Sequence, residues 1–249
     1  MTSSPETCVV LQPGYLPWLG FFEQMHRADE FVILDDVQFD KHGWRNRNRI
    51  KGPTGAQWLT VPVRAKGMDK PLIRDVQIDD TQHRWPAKHL QSLRTNYRPC
   101  PFFDWLYPDL EATLLRHWTH IVDLDIALIE LLCRKLGLQR PLHRASAIET
   151  NDERCQRLVG ICHHLGCTHY YSGAAARDYI SIPVFQRAGI TVEFQDYKHP
   201  EYAQRYGPFI SHLSIVDLLF NCGPRSLEIL LQSTTTRTER PTPAPHHPA

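Results

Sequence analysis

The chain has 249 residues, 42% of them hydrophobic, and its 28 Lys and Arg against 27 Asp and Glu leave a net charge of +1. That balance exerts no global pull toward nucleic acid or an anionic membrane, so any anion site must be local. No stretch approaches the roughly 18 apolar residues of a membrane span, the start MTSSPETCVVLQ lacks a basic leader, and the cysteines form no Cys-x-x-Cys pair; a reduced cytoplasmic chain is expected.

In chain order, CVVLQ reads as a short buried strand, GFFEQMHRAD as a helix and FVILDD as a second strand, a βαβ unit over residues 8 to 36. WRNRNRI, if extended, projects Arg45, Arg47 and Arg49 from one face and Trp44, Asn46, Asn48 and Ile50 from the other. QWLTVPV and IRDVQID follow as strand-like runs around RAKGMDKPL and are expected to pair as a hairpin. The segment from HRWPAKHLQSLRTNY to Gly137 turns helical, with Leu124, Leu128, Leu131, Leu132 and Leu136 on one stripe. Thr150 and Glu153 have capping-box spacing for the next helix. THYYSG and ITVEFQDY then read as strands around a loop, AAARDYISIPVFQRAG, and LSIVDLLFNCG as a closing helix. The sum is an α/β fold, a Rossmann-like and mostly parallel sheet with a helical layer inserted in the middle third. Residues 1–232 form one domain in this reading, and the Thr- and Pro-rich 233–249 form a disordered tail.

Open α/β sheets bind ligands at the carboxyl ends of their strands, which is where QPGYLPW and DDVQFDK fall. The rigid Pro- and Gly-containing loop can turn Gln12, Tyr15 and Trp18 toward a ring, or its aromatics can cap the core. Asp35 and Asp36 point to opposite faces, so at most one joins a shared site, where it could bind Mg²⁺, act as a base or accept hydrogen bonds. Ser172 and Gly173 follow a strand and suit close approach of a ligand to backbone amides, with Asp178 and Tyr179 as polar contacts; no serine-hydrolase elbow accompanies them. His199, in a loop with Tyr202 and Gln204, is the first choice for general acid and base. The clusters HWTH and CHHLGC lack metal-ligand spacing, and no metal is expected.

Three segments, QPGYLPWLGFFEQM, FVILDDVQFDKHGWRNRNRI and WLTVPV, with YYSGAAARDYI, HPEY and LSIVDLLFNCG further on, resemble the WbqC-like family over about residues 8 to 223. The compound pattern Q-P-x-Y-x-P-W, D-D-V-Q-F and W-x-N-R-N carries the resemblance. It implies a biosynthetic role, associated with surface-polysaccharide and other specialised gene clusters, without naming a reaction or a cofactor. Acyl, aminoacyl or nucleotidyl transfer to an aminosugar or nucleotide-linked sugar, alone or beside partner enzymes, is the expectation by association. The family pattern adds Gln38, Trp44, Asn46, Arg47 and Asn48 as ligand contacts, together with Asp217 and Asn221. Arg47 becomes the preferred anion contact, unless it pairs with Asp35 or Asp36, while Arg45 and Arg49 are read as solvated. The first strand, loop and helix also resemble the nucleotidylyltransferase superfamily, but PWLG has no histidine of the His-x-Gly-His loop, which leaves that similarity one of fold. Nucleic acid is not the partner expected of so small a basic strip.

Overall fold

A computed structural model describes residues 6–65, 67, 69–150 and 154–232. The capping box proposed around residues 151–153 and the tail 233–249 lie outside the described residues. The chain opens with β1 (Thr7–Leu11), α1 (Leu19–Arg27) and β2 (Glu30–Ile33), as the apolar runs predict. It leaves the sheet for a hairpin of β3 (Arg47–Gly52) and β4 (Gly55–Thr60), a second short pair of β5 (Val63–Arg64) and β6 (Gln77–Ile78), and three helices, α2 (Trp85–Tyr97), α3 (Phe103–Leu114) and α4 (Ile121–Leu136). It returns through β7 (Leu142–Arg144), α5 (Arg154–His164), β8 (His169–Ser172), α6 (Ile182–Arg187) and β9 (Thr191–Phe194), and closes with α7 (Ile215–Cys222) and α8 (Ser226–Leu231).

β7, β2, β1, β8 and β9 form, in that order, a sheet in which every neighbouring pair is parallel. Counted within the sheet, the order is 3-2-1-4-5, and the switch point falls between β1 and β8. Both faces are covered. Val9, Phe31, Ile33 and Tyr171 join the cluster formed with α1, the inserted helices and α7. Their neighbours Cys8, Val10, Val32 and Tyr170 pack instead with Ile161, Cys162 and Phe185 of α5 and α6. Period-two alternation between two apolar layers is why these strands read as unbroken hydrophobic runs.

The insertion is ordered by local chemistry. Gly137 ends α4 at φ 72°, its N–H donating to Arg134 O while Leu138 N–H donates to Cys133 O, a Schellman close that needs a residue at ease in the left-handed region. Two expectations are corrected here. QWLTVPV is divided by Pro62, so the main hairpin is β3 with β4, and only Val63 and Arg64 pair with the second run, opposite Ile78 and Gln77. The stretch between β8 and β9 is not a loop throughout, since Ile182–Arg187 form α6 with Pro183 in its first turn. Among the described residues no helix is long and apolar enough to cross a membrane.

Candidate functional site

A cavity of about 610 Å³ opens at the switch point, where the chain leaves β1 and β8. Apolar residues such as Val10, Leu34 and Phe21 floor it, and Gln12, Trp18, Gln24, Trp44, Arg45, Asn48, Ser172, Tyr179 and His212 supply its polar and aromatic wall. The loop after β1 shapes one side. Tyr15 N–H donates to Trp44 O at 3.1 Å, and a Cβ on Gly14 would lie 3.1 Å from the same oxygen, so glycine allows the close approach. Leu16 is held at φ 46°, a conformation costly for a branched side chain, and Asn48 Nδ2 donates to its carbonyl at 2.7 Å. His212 sits at φ 57° on the opposite rim, its ring stacked on Trp18 at 5.1 Å, with Ser211 Oγ 2.8 Å from its Nδ1. Two of the non-glycine residues with positive φ among the described residues, Leu16 and His212, thus stand at or beside this cavity.

Arg45 supplies the positive charge. Its Nη1 donates to Gln12 Oε1 at 2.6 Å, and its buried Nε has no partner. Burial pushes its pKa down, opposed by Asp125 and Asp40, yet a guanidinium keeps its proton across the physiological range. Asp125 is fully buried with both oxygens unpartnered, and burial holds its carboxyl well above the usual range despite Arg45. Burial disfavours a charge on Asp125, which leaves the Arg45 charge available to the cavity. Among the described residues no carboxylate lines that cavity.

The sequence-derived candidates separate into three groups. Gln12, Trp18, Trp44, Asn48, Ser172, Gly173 and Tyr179 meet at the cavity. A second group stands behind the wall. Tyr15 is fully buried with its hydroxyl 2.9 Å from His89 Nδ1, and Asn46 donates to Val61 O at 2.8 Å. His199 lies 5.2 Å from His212 between ring centroids; its Nδ1 faces Pro200 O at 2.9 Å and so carries the hydrogen, leaving a buried, unpartnered Nε2. Burial lowers its pKa and favours the neutral ring. It does not line the cavity, whereas His212 does.

The third group is committed elsewhere. Asp35 accepts from Arg144 Nε at 2.7 Å, Ser146 N–H at 3.0 Å and Ser146 Oγ at 2.8 Å, and Asp36 pairs with Arg157. Neither pairs with Arg47, whose guanidinium donates to the carbonyls of His42 and Gly43 and lies 4.6 Å over the Trp58 ring. Arg47 stays on the outer face of β3, and Arg45 enters the cavity instead, reversing the order expected from the motif. Asp217 accepts from Tyr97 at 2.7 Å and Tyr202 at 2.9 Å. Burial raises its pKa, and those hydroxyls with Lys51 counteract the rise. Lys51, 1% exposed, donates to Gln204 Oε1 at 2.9 Å and Pro208 O at 2.6 Å, so Tyr202 and Gln204 anchor their loop to β3 and α7. Asn221 donates to Asp217 O, and Gln38 is exposed beside Pro71 in a separate shallow groove. The residues passed over in the sequence are Gln24, Arg45 and His212: the first sits mid-helix, the second precedes the strand whose parity it was assigned, and the third is in a loop without a motif. Among the described residues no group of three His, Cys, Asp or Glu could hold a metal ion.

The chain is 38% identical over 226 residues to "Uncharacterized protein Rv1507c" of Mycobacterium tuberculosis (strain ATCC 25618 / H37Rv), a match covering 89% of this chain and 96% of that protein. No solved structure matches it. The model of the WbqC-like protein family matches residues 12–229, a span running from the cavity's Gln12 into the last helix, and the chain belongs to that family.

Proposed function

We propose that the protein is a cytoplasmic biosynthetic transferase that binds a nucleotide-linked sugar, or a related anionic small molecule, in the cavity at the β1/β8 switch point, in the making of a surface polysaccharide or specialised metabolite. The observation that carries this reading is the Arg45 guanidinium, fixed by Gln12 in the wall of an otherwise largely apolar cavity of about 610 Å³. Such a volume suits a ligand of nucleotide-sugar size, and a desolvated guanidinium binds a phosphate or carboxylate more strongly than a solvated one. Trp18 and Trp44 offer rings against which a base or sugar packs. His212 is the imidazole within reach of that ligand and takes the proton-transfer role first assigned to His199.

One observation favours a noncatalytic binding protein that hands its ligand to partner enzymes: the buried acidic side chains Glu23, Asp35, Asp125 and Asp217 all lie outside the cavity lining. Turnover by the purified protein would exclude that alternative. The ligand reading is tested by thermal shift with UDP-glucose, ATP and acetyl-CoA against wild type, Arg45→Gln and Arg47→Gln. A ligand at 100 times its Kd stabilises the fold by about 2.7 kcal/mol, a rise of about 5–11 °C for a domain of this size. The expected result is a rise that Arg47→Gln keeps and Arg45→Gln loses. The reverse pattern, or no rise with any of the three, defeats the proposal.

A further inference from the structure

Gln24 is 4% exposed, lines the cavity from α1, and has a buried Oε1 with no hydrogen-bond partner. Its amide orientation is set by residues behind it. Gln195 Nε2 lies 2.9 Å from Gly20 O and 2.6 Å from Glu23 Oε2. The Gly20 carbonyl can only accept, so the Gln195 amide nitrogen must face it whatever the protonation of Glu23. Gln195 Oε1 is therefore turned toward Gln24 and has to accept, which fixes Gln24 Nε2 as its donor at 3.2 Å. Glu23 is itself held by Arg27 Nε at 2.9 Å and the Tyr171 hydroxyl at 3.1 Å, so the chain of polarity is anchored at its far end. The outcome is a carbonyl oxygen of fixed direction on a residue of the cavity lining, 4.0 Å from where a Cβ on Gly173 would stand, with Nε2 at 3.6 Å from the same point.

We propose that Gln24 is a specificity-determining residue of this cavity, its Oε1 accepting a hydrogen bond from a neutral hydroxyl or amide N–H of the sugar portion of the ligand. The inference rests on the nucleotide-sugar reading above and narrows it. A donor is required because the oxygen can only accept, and a buried acceptor without a partner costs free energy that a ligand donor would recover. A neutral donor fits because, among the described residues, the lining holds Arg45 and no carboxylate that could balance a primary ammonium. The anionic end of the ligand then lies toward Gln12 and Arg45, and the donor toward α1 and Gly173.

Titration calorimetry with UDP-glucose and its 2-, 3-, 4- and 6-deoxy analogues tests this position by position, using wild type, Gln24→Met and Gln195→Met. In wild type one analogue is expected to bind about 10- to 100-fold more weakly than UDP-glucose, the range for a buried acceptor left unpaired. Gln24→Met should abolish that difference while binding the weak analogue as wild type does, which also shows that the variant is folded. Gln195→Met removes the group that orients the Gln24 amide and should reduce the same difference severalfold; it provides the test if Gln24→Met does not fold. Equal binding of all analogues to wild type, or discrimination that persists in these variants, overturns the Gln24 assignment and leaves the ligand reading standing. Failure of wild type to bind UDP-glucose overturns the nucleotide-sugar reading and, with it, the Gln24 assignment.

Discussion

An Asp35→Asn substitution keeps the size of the side chain but removes its charge and turns one of two acceptor oxygens into a donor. In the fold that carboxylate is fully buried and receives Arg144 Nε, Ser146 N–H and Ser146 Oγ within 3.0 Å. The new amide nitrogen must face at least one of those donors. Removing one partner of a buried ion pair costs about 3–5 kcal/mol; the Arg144 side chain is 38% exposed and partly screened, which lowers the expectation to about 2–3 kcal/mol. For a domain of this size that is a fall in Tm of about 4–12 °C. Urea unfolding followed by circular dichroism measures the loss, and the UDP-glucose thermal shift of the same variant measures the site. The expected pair of results is a less stable protein whose ligand shift survives, because Asp35 holds the β2 and β7 strand ends together and stays out of the cavity. A variant as stable as wild type that had lost the ligand shift would refute the structural role and return Asp35 to the chemistry.

Two further substitutions probe the supports of the site. Burial of His89 pushes its pKa down to about 4 from an ordinary 6.5, so between those values the unfolded chain binds a proton that the folded chain excludes, and stability falls as pH drops through that window. The shift amounts to about 3 kcal/mol, and His89→Phe should flatten the slope of urea stability between pH 6.5 and 4; a slope unchanged by the substitution would show that the ring titrates normally. Gly20→Ala should stabilise α1 by about 1 kcal/mol on helix propensity alone, but its Cβ would lie 2.3 Å from the Trp18 ring. The displaced indole should cost about 1–3 kcal/mol, cut the UDP-glucose shift and alter the near-UV circular dichroism, whereas a stabilised variant with an unchanged spectrum would contradict the packing described.

Strands buried on both faces announce themselves, which is why β1, β2 and β8 were legible as apolar runs; β9, an edge strand, was legible from its alternation of exposed Thr191 and Glu193 with half-buried Val192 and Phe194. β7 was not, because a half-buried edge strand of only three residues, Leu142, His143 and Arg144, has neither the length nor the apolar content of a signal. Its place in the sheet is fixed by pairing with β2 and by the Asp35 to Arg144 contact, both long-range.

The site divides along the same line. Position was readable, since loops after parallel strands converge at a switch point whatever their side chains do, and Gln12, Trp18, Ser172 and Gly173 came together on that ground alone. Direction was not. Parity holds only inside a strand: Asn48 and Ile50 point inward and Arg47 and Arg49 outward along β3, but Arg45 stands before its first residue, where the chain turns back to Gln12. Tyr15 shows the same failure in a loop, where the left-handed turn at Leu16 accompanies a ring buried against His89. Residue type marks which side chains can bind a phosphate or a ring, and backbone turns that only the folded chain exhibits decide which of them face the cavity. The motif arginine on the outer face is therefore expected to be dispensable for binding, and its neighbour two residues earlier is not.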